Sequence, residues 1–502
     1  MAKDFLSCFK KDGSYHYSPK EIVLAFQHMF AMLGATILVP ILTNMSISMG
    51  LIAAGLGTIA FYFITQKKVP VFLGSSFAFL PALISIVGSG KVKYSVEWQD
   101  AMAVASLCLI LAGAVYIGFS FIIKKVGVEK VKKLFPPVVI GPVIIIIGMI
   151  LAPKMFWNNI IINYELFGGK AWQQWTTAGV TALSIILTSA FAKPKSFLKV
   201  IPVLIGFVVG YIYAAIIGLV SYKNAFSVDR IIIFQNIGKE LSFYKGYANM
   251  TGASFLNGFL AIVPIAIVTF MEHLGDISAN SVICRKDFMV DPGLHRTVMG
   301  DGVGTMIAGL IGGPSNTTYG ENTAVLAITQ NYSPKNIFLA AILAVFFGIF
   351  SIFGDFLATI PSAVIGGASI VLFGMISASG LRALVDGKVD FTNSRNMIIV
   401  SVVLSIGLGL GAMSLAGDIT GNNNLKIMIG KIEISPLALS TLAGILLNLI
   451  FPEKRKGEKS ENKEDSLEDK KKGVIIEETK ASLDTDSEVL DNSDGSEKSV
   501  IE

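Results

Sequence analysis

Charge is scarce in this chain: Asp, Glu, Lys and Arg make up 15% of its 502 residues, against roughly 25% in a soluble globular domain. The charges also gather between long apolar runs, hydrophobic residues reach 53% and the mean hydropathy is +0.65. A water-soluble core is excluded and a polytopic membrane protein indicated. Cysteine is rarer still. Cys8, Cys108 and Cys284 lie far apart and form no CxxC, so neither a disulfide framework nor a thiolate metal site is expected. The first residues, MAKDFLSCFKKDGSYHYSPK, lack an apolar h-region and an A-x-A site, which argues against a cleaved signal peptide. HExxH, nucleophile-elbow, Walker and Cys-ligand motifs are all missing, so a membrane enzyme is disfavoured.

The net charge of +5 hides two opposed parts. From Pro452 onward there are 10 Lys+Arg against 16 Asp+Glu; residues 1–451 hold 31 against 20. That acidic tail, 452–502, has almost no aromatics and is expected to be disordered and cytoplasmic. Residues 1–20 form a cytoplasmic N-terminus, and 21–451 the membrane domain. Apolar segments fall at about 21–43, 48–66, 71–89, 99–123, 135–152, 174–192, 200–221, 253–283, 298–312, 321–330, 336–354, 361–381, 396–414 and 434–451. The expected class is therefore an all-α polytopic membrane protein of fourteen segments. Lys and Arg are denser in alternate loops, such as Lys124 to Lys133 and Arg285 to Arg296, which puts both termini in the cytoplasm.

Two segments are interrupted. Gly312 to Gln330 reads GGPSNTTYGENTAVLAITQ, glycines and hydroxyl residues ahead of a short apolar stretch. Val71–Phe79 reads VFLGSSFAF, seven segments earlier. Similarly, QHMFAMLGAT in the first segment echoes MEHLGDISAN in the eighth. Seven is odd, so the second copy enters the membrane from the opposite side, the inverted repeat of secondary transporters. The repeats are placed at about 21–221 and 253–451. Segments 3 and 10 are expected to be part strand and part helix. Val71–Leu73 would pair with Ser315–Tyr319, and helix N-termini would open inside the membrane at Ser75–Ser76 and Gly320–Glu321. The piece from Glu321 to Asn331 makes ~16 Å of helix, about half of a ~30 Å hydrocarbon core.

Acids at that depth mark function by default. Glu272 lies three residues past the midpoint of the eighth apolar run, and Asp276 follows at i+4 on the same face. Such a pair is a candidate proton carrier. The competing reading ends the helix at Gly275 and leaves EHLGD among headgroups. A metal site from Glu272, His273 and Asp276 is disfavoured, because His273 points ~100° away from Glu272. Glu321 is a third acid, at a helix start where it also complements the dipole. His28 reads as a packed helix residue. With carboxylate acceptors, backbone donors, the aromatics Phe77 and Tyr319, and no basic side chain, the site suits a neutral planar molecule such as a nucleobase.

The motifs QHMFAMLGATILVP, FLGSSFAF, LFPP (Leu134–Pro137), MEHLGD, KDFMVDPGLHR, GGPSNTTYGENTAVLAIT and GGASIVLFGMISASGLR resemble the nucleobase–ascorbate transporters, specifically their uracil permease branch. The resemblance implies a core and a gate domain, and a multi-pass proton symporter of the bacterial inner membrane that imports uracil or a related nucleobase. No cofactor, metal or nucleic acid is implied; a homodimer stays open. Glu272 and Glu321 would accept uracil N–H groups, and the backbone N–H groups of Phe77 and Gly320 would donate to its carbonyls. Ala35, Tyr319 and Phe373 would line the site, Asn322 and Ser76 would support it, and Asp276 or Glu272 would carry the proton. Glu rather than Gln at 321 favours uracil over xanthine. Asp276 stands where the best-known uracil pattern has His, and Phe373 where Tyr is frequent. A purine or xanthine permease on the same scaffold and a channel are the alternatives.

Overall fold

The computed structural model describes residues 19–451 except 89–90, 129, 131–135, 162–170, 194–195, 200, 221–236, 426, 430–431 and 434. The expectations for the N-terminus, the acidic tail and the first half of LFPP lie outside the described residues. Helices dominate. In chain order they are α1 Pro19–Leu42, α2 Ile47–Ile64, α3 Leu80–Leu83, α4 Val96–Val126, α5 Pro137–Phe156, α6 Ala171–Phe191 and α7 Pro202–Ile216. After a one-turn helix at Ile237–Glu240 come α8 Gly252–Ile262, α9 Ile265–Cys284, α10 Leu294–Ile311 and α11 Gly320–Thr329. The last are α12 Pro334–Ile349, α13 Ser351–Leu357, α14 Ser362–Asp386, α15 Ser394–Thr420 and α16 Pro436–Ile450. Among the described residues seven helical stretches are long and apolar enough to cross a membrane. Phe191 is 81% exposed and Ile216 78%, and only 28% of the apolar window of α15 is buried. Outward apolar faces of this extent belong against lipid.

The helix boundaries follow from local chemistry. Ser95 caps α4 by accepting from the Trp98 N–H at 3.2 Å, satisfying a donor that the helix start leaves open. Thr251 and Ser254 form a reciprocal capping box at α8. The eighth apolar run is not one helix: α8 ends at Ile262 and α9 begins after Pro264, whose ring removes a helical hydrogen bond. α9 does not stop at Gly275. It continues to Cys284, where Arg285 adopts the left-handed conformation.

Two three-residue strands lie inside this helical body, β1 Leu73–Ser75 and β2 Asn316–Thr318. They pair antiparallel, Leu73 opposite Thr318, Gly74 opposite Thr317 and Ser75 opposite Asn316. Bonds from Ser76 N–H to the Ser315 carbonyl (2.8 Å) and from Tyr319 N–H to the Phe72 carbonyl (3.1 Å) extend the ladder at its ends. The strand in segment 3 thus sits two residues later than Val71–Leu73. The helix after it also starts later, at Leu80 rather than Ser75–Ser76, because the Ser76 N–H is taken by the ladder.

Matching dipeptides hold the strands. On α2, Thr58 accepts from the Leu73 N–H at 2.9 Å; on α10, Thr305 donates to the Asn316 carbonyl at 2.7 Å. The preceding glycines, Gly57 and Gly304, touch each other, and a Cβ on Gly57 would stand 3.2 Å from the Gly304 Cα. Every residue of both strands is buried, so their backbone groups must be paired within the protein.

Candidate functional site

The crossing of the strands brings α9 and α11 together with α10. Thr318 on β2 donates to Asp276 Oδ2 on α9 at 2.9 Å. Asp276 Oδ1 lies 3.7 Å from where a Cβ on Gly320 would stand, so the exposed first residue of α11 faces that carboxylate at contact distance. Glu321 follows, half-buried, at the α11 N-terminus, where dipole and free amides favour an acid. Glu272 is half-buried, and its Oε2 is buried without a hydrogen-bond partner. Asp276, Asp301 and Glu321 all lie within its electrostatic range. An unpartnered buried carboxylate oxygen is costly and is a ready acceptor for an incoming N–H.

The aromatics divide into two roles. Phe77 is half-buried in the turn between β1 and α3 and meets Phe373 edge-on, ring centroids 5.8 Å apart at 84°, a favourable aromatic geometry. Phe373 itself is fully buried and packs against Phe77. Tyr319 is 4% exposed. Its hydroxyl donates to the Ser75 carbonyl at 2.8 Å and accepts from Thr36 at 3.4 Å, so it braces the two strands. Asn322 donates to the His28 carbonyl at 3.0 Å, joining α11 to α1. The Oγ atoms of Ser76, Ser75 and Ser315 are buried without hydrogen-bond partners. Ala35 lies on α1; its side chain is outside the described residues.

The sequence reading passed over Asp301. It is fully buried on α10, its Oδ2 is 3.1 Å from His273 Nδ1, and Thr317 donates to the same oxygen at 3.4 Å. The signal was available: Asp301 interrupts VMGDGVGTM, and an acid in an apolar run meets the criterion that singled out Glu272. No group of three or more metal-ligating side chains occurs among the described residues.

A separate cavity of about 380 Å³ is lined by Ser85, Asn257, Lys154, Asp418, Ser414 and Ser435 together with aliphatic side chains. None of the acids on α9, α10 or α11 lines it. Lys154 and Asp418 pair there at 2.7 Å.

A family model described as "Permease family" matches residues 19–415, more than three quarters of the chain. The chain belongs to this permease family, the nucleobase–ascorbate transporters. This permease is 41% identical over 434 residues to the uracil permease of Bacillus caldolyticus, covering 86% of the chain and 92% of the relative. It is 37% identical over 439 residues to the uracil permease of Bacillus subtilis, covering 86% and 92%. Among solved structures, the transmembrane domain of a cyanobacterium bicarbonate transporter, BicA, superposes with a TM-score of 0.57 at 14% identity. That match covers 79% of this permease and 97% of the BicA domain and concerns the fold alone. The chain is a multi-pass membrane transporter rather than an enzyme.

Thr318 supplies a prediction of its own. Thr318→Val removes the hydroxyl donor to Asp276 while keeping the side-chain shape. Leaving a buried acceptor unmade costs ~1–3 kcal/mol, so solute affinity is expected to fall about 5- to 150-fold. Equilibrium binding to the purified permease checks this; unchanged affinity would detach β2 from the site.

Proposed function

We propose that this permease imports uracil together with protons across the cytoplasmic membrane by alternating access. The observation that carries the reading is the unpartnered Glu272 Oε2 within electrostatic range of Glu321, which follows the exposed helix start at Gly320. Glu272 and Glu321 would accept the two ring N–H groups. The backbone N–H groups of Phe77 and Gly320 would donate to the carbonyls, and Phe77, backed by Phe373, would stack on the ring. Ala35 and Tyr319 complete the surroundings, and Asn322 and Ser76 support them. Such a site would offer paired acceptors and donors without a basic side chain, which suits a neutral ring and not a phosphate or carboxylate. The uracil permeases among the relatives favour uracil over xanthine or another purine.

Asp276, or Glu272, would take the coupled proton, since each lies among acids and close to the solute. The transport domain would comprise fourteen segments in two inverted repeats, 21–221 and 253–451, working as core and gate with both termini in the cytoplasm. The paired Gly57-Thr58 and Gly304-Thr305 steps, seven segments apart and each gripping one strand, support that repeat.

Reconstituted into proteoliposomes, the permease is expected to accumulate radiolabelled uracil against its gradient when the outside is acidic. The accumulation should collapse on adding a protonophore. Uptake indifferent to the pH gradient would remove the proton from the mechanism while leaving uracil as cargo.

A further inference from the structure

The polar contacts around Asp301 close into a ring of which the transport reading uses only Asp276. α9 contributes His273 and Asp276, at i and i+3 on one face. β2 contributes Thr317 and Thr318, which as neighbours in a strand point to opposite sides. Thr318 donates to Asp276 at 2.9 Å, and Thr317 donates to Asp301 Oδ2 on α10 at 3.4 Å. His273 Nδ1 returns from that same oxygen to α9 at 3.1 Å. β2 is thereby gripped on one side by an acid of α9 and on the other by an acid of α10, with His273 linking the two helices. His273 Nε2 is itself held at 3.0 Å from the Thr297 hydroxyl, which donates in turn to the Leu294 carbonyl.

We infer that His273 is a positioning residue: it fixes the Asp301 carboxylate against Thr317 and so sets where β2 presents Gly320 and Glu321 to the solute. Asp301 and His273 are fully buried, and Asp301 Oδ1 is buried with no hydrogen-bond partner. The contacts of that carboxylate therefore fall on Oδ2: a hydrogen bond from Thr317, and an approach of His273 Nδ1 at ion-pair distance, the nitrogen itself being buried without a hydrogen-bond partner. A buried acid of this kind turns away or drags its neighbours once its partner is removed. Because β2 leads through Tyr319 directly into α11, a loosened Thr317 displaces the residues that start the site. The inference concerns substrate-free architecture, and only its consequence for affinity rests on the transport reading above.

The two ring nitrogens can be tested separately, since an Asn side-chain nitrogen stands near the place of Nδ1 and a Gln nitrogen near that of Nε2. His273→Asn keeps the contact with Asp301; His273→Gln keeps only the one with Thr297. In purified, substrate-free protein, H273Q, which loses the approach of Nδ1 to Asp301, is expected to speed amide hydrogen exchange at Asn316–Thr318 by about tenfold, the equivalent of ~1.4 kcal/mol. H273N is expected to stay within about threefold of wild type. Uracil affinity should follow the same order. A packing role predicts the reverse, because Gln fills the space of His better than Asn does. Thr317→Val cuts the ring at its other link and should loosen the strand as H273Q does, which covers the case of a poorly folding His273 variant. Equal exchange in H273N and H273Q, or an unchanged strand in T317V, would overturn the inference. Wild-type protein that binds no uracil but keeps the exchange order would overturn the transport reading and leave this one standing.

Discussion

Replacing Glu321 with Gln is expected to weaken uracil binding by roughly 10- to 150-fold. Glu321 is half-buried at the start of α11, where the helix dipole favours a carboxylate. Hydrogen bonds to charged groups contribute ~1.5–3 kcal/mol each, and 1.4 kcal/mol corresponds to a factor of ten. Gln keeps the length and one acceptor oxygen but loses the charge, and its amide turns a donor toward a ring N–H in one of its two orientations. The backbone should be untouched, because among the described residues the Glu321 side chain makes no hydrogen bond to another element. The expected signature is a lost affinity with an unchanged melting temperature in the absence of solute. Wild-type affinity in E321Q, by isothermal titration or scintillation proximity, would remove Glu321 from the site.

Gly74→Ala tests the scaffold in the same way that Glu321→Gln tests the chemistry. A Cβ on Gly74 would fall 2.4 Å from two ring carbons of Tyr319 and 2.9 Å from a third, far inside contact distance. The ring has nowhere to go: its hydroxyl is tied to the Ser75 carbonyl at 2.8 Å and to Thr36 at 3.4 Å, and its backbone N–H is tied to Phe72. Overpacking of this kind costs ~1–3 kcal/mol, and breaking the Tyr319 hydroxyl bond adds about 1 kcal/mol. Transport should fall at least tenfold, with a lowered melting temperature, because the distorted segment leads straight into Gly320. Uptake normalised to folded protein, measured by fluorescence-detected size exclusion, gives the comparison. A fully active G74A would mean that the strand crossing has slack the packing does not reveal.

Much of this architecture could be read from the residues. The broken segments were legible because clustered glycine and hydroxyl residues weaken an apolar helix, and Val71–Phe79 and Pro314–Val325 carry that composition. The register was not. Which three residues of Val71–Ser76 form the strand depends on Thr58, which catches the Leu73 N–H from another helix. The late helix start at Leu80 escaped for the same reason, since Ser76 is occupied by Ser315 across the sheet. The break at Pro264 was visible as a residue but was overridden by the apolarity around it. Glu272, Asp276 and Glu321 stood out because isolated acids in apolar sequence are expensive. Asp301 satisfied that test equally, yet its partner His273 is contributed by another helix. Tyr319 was legible as an aromatic near the site, but its bracing role comes from the Ser75 carbonyl, more than two hundred residues away.

The most direct test of the whole account is an experimental structure of the permease with uracil bound. The account places the ring between the carboxylates of Glu272 and Glu321, edge toward the amides of Phe77 and Gly320, with Asp276 within reach. Density for uracil instead in the cavity lined by Asn257 and the Lys154–Asp418 pair, with the four acids of α9, α10 and α11 bare, would contradict it.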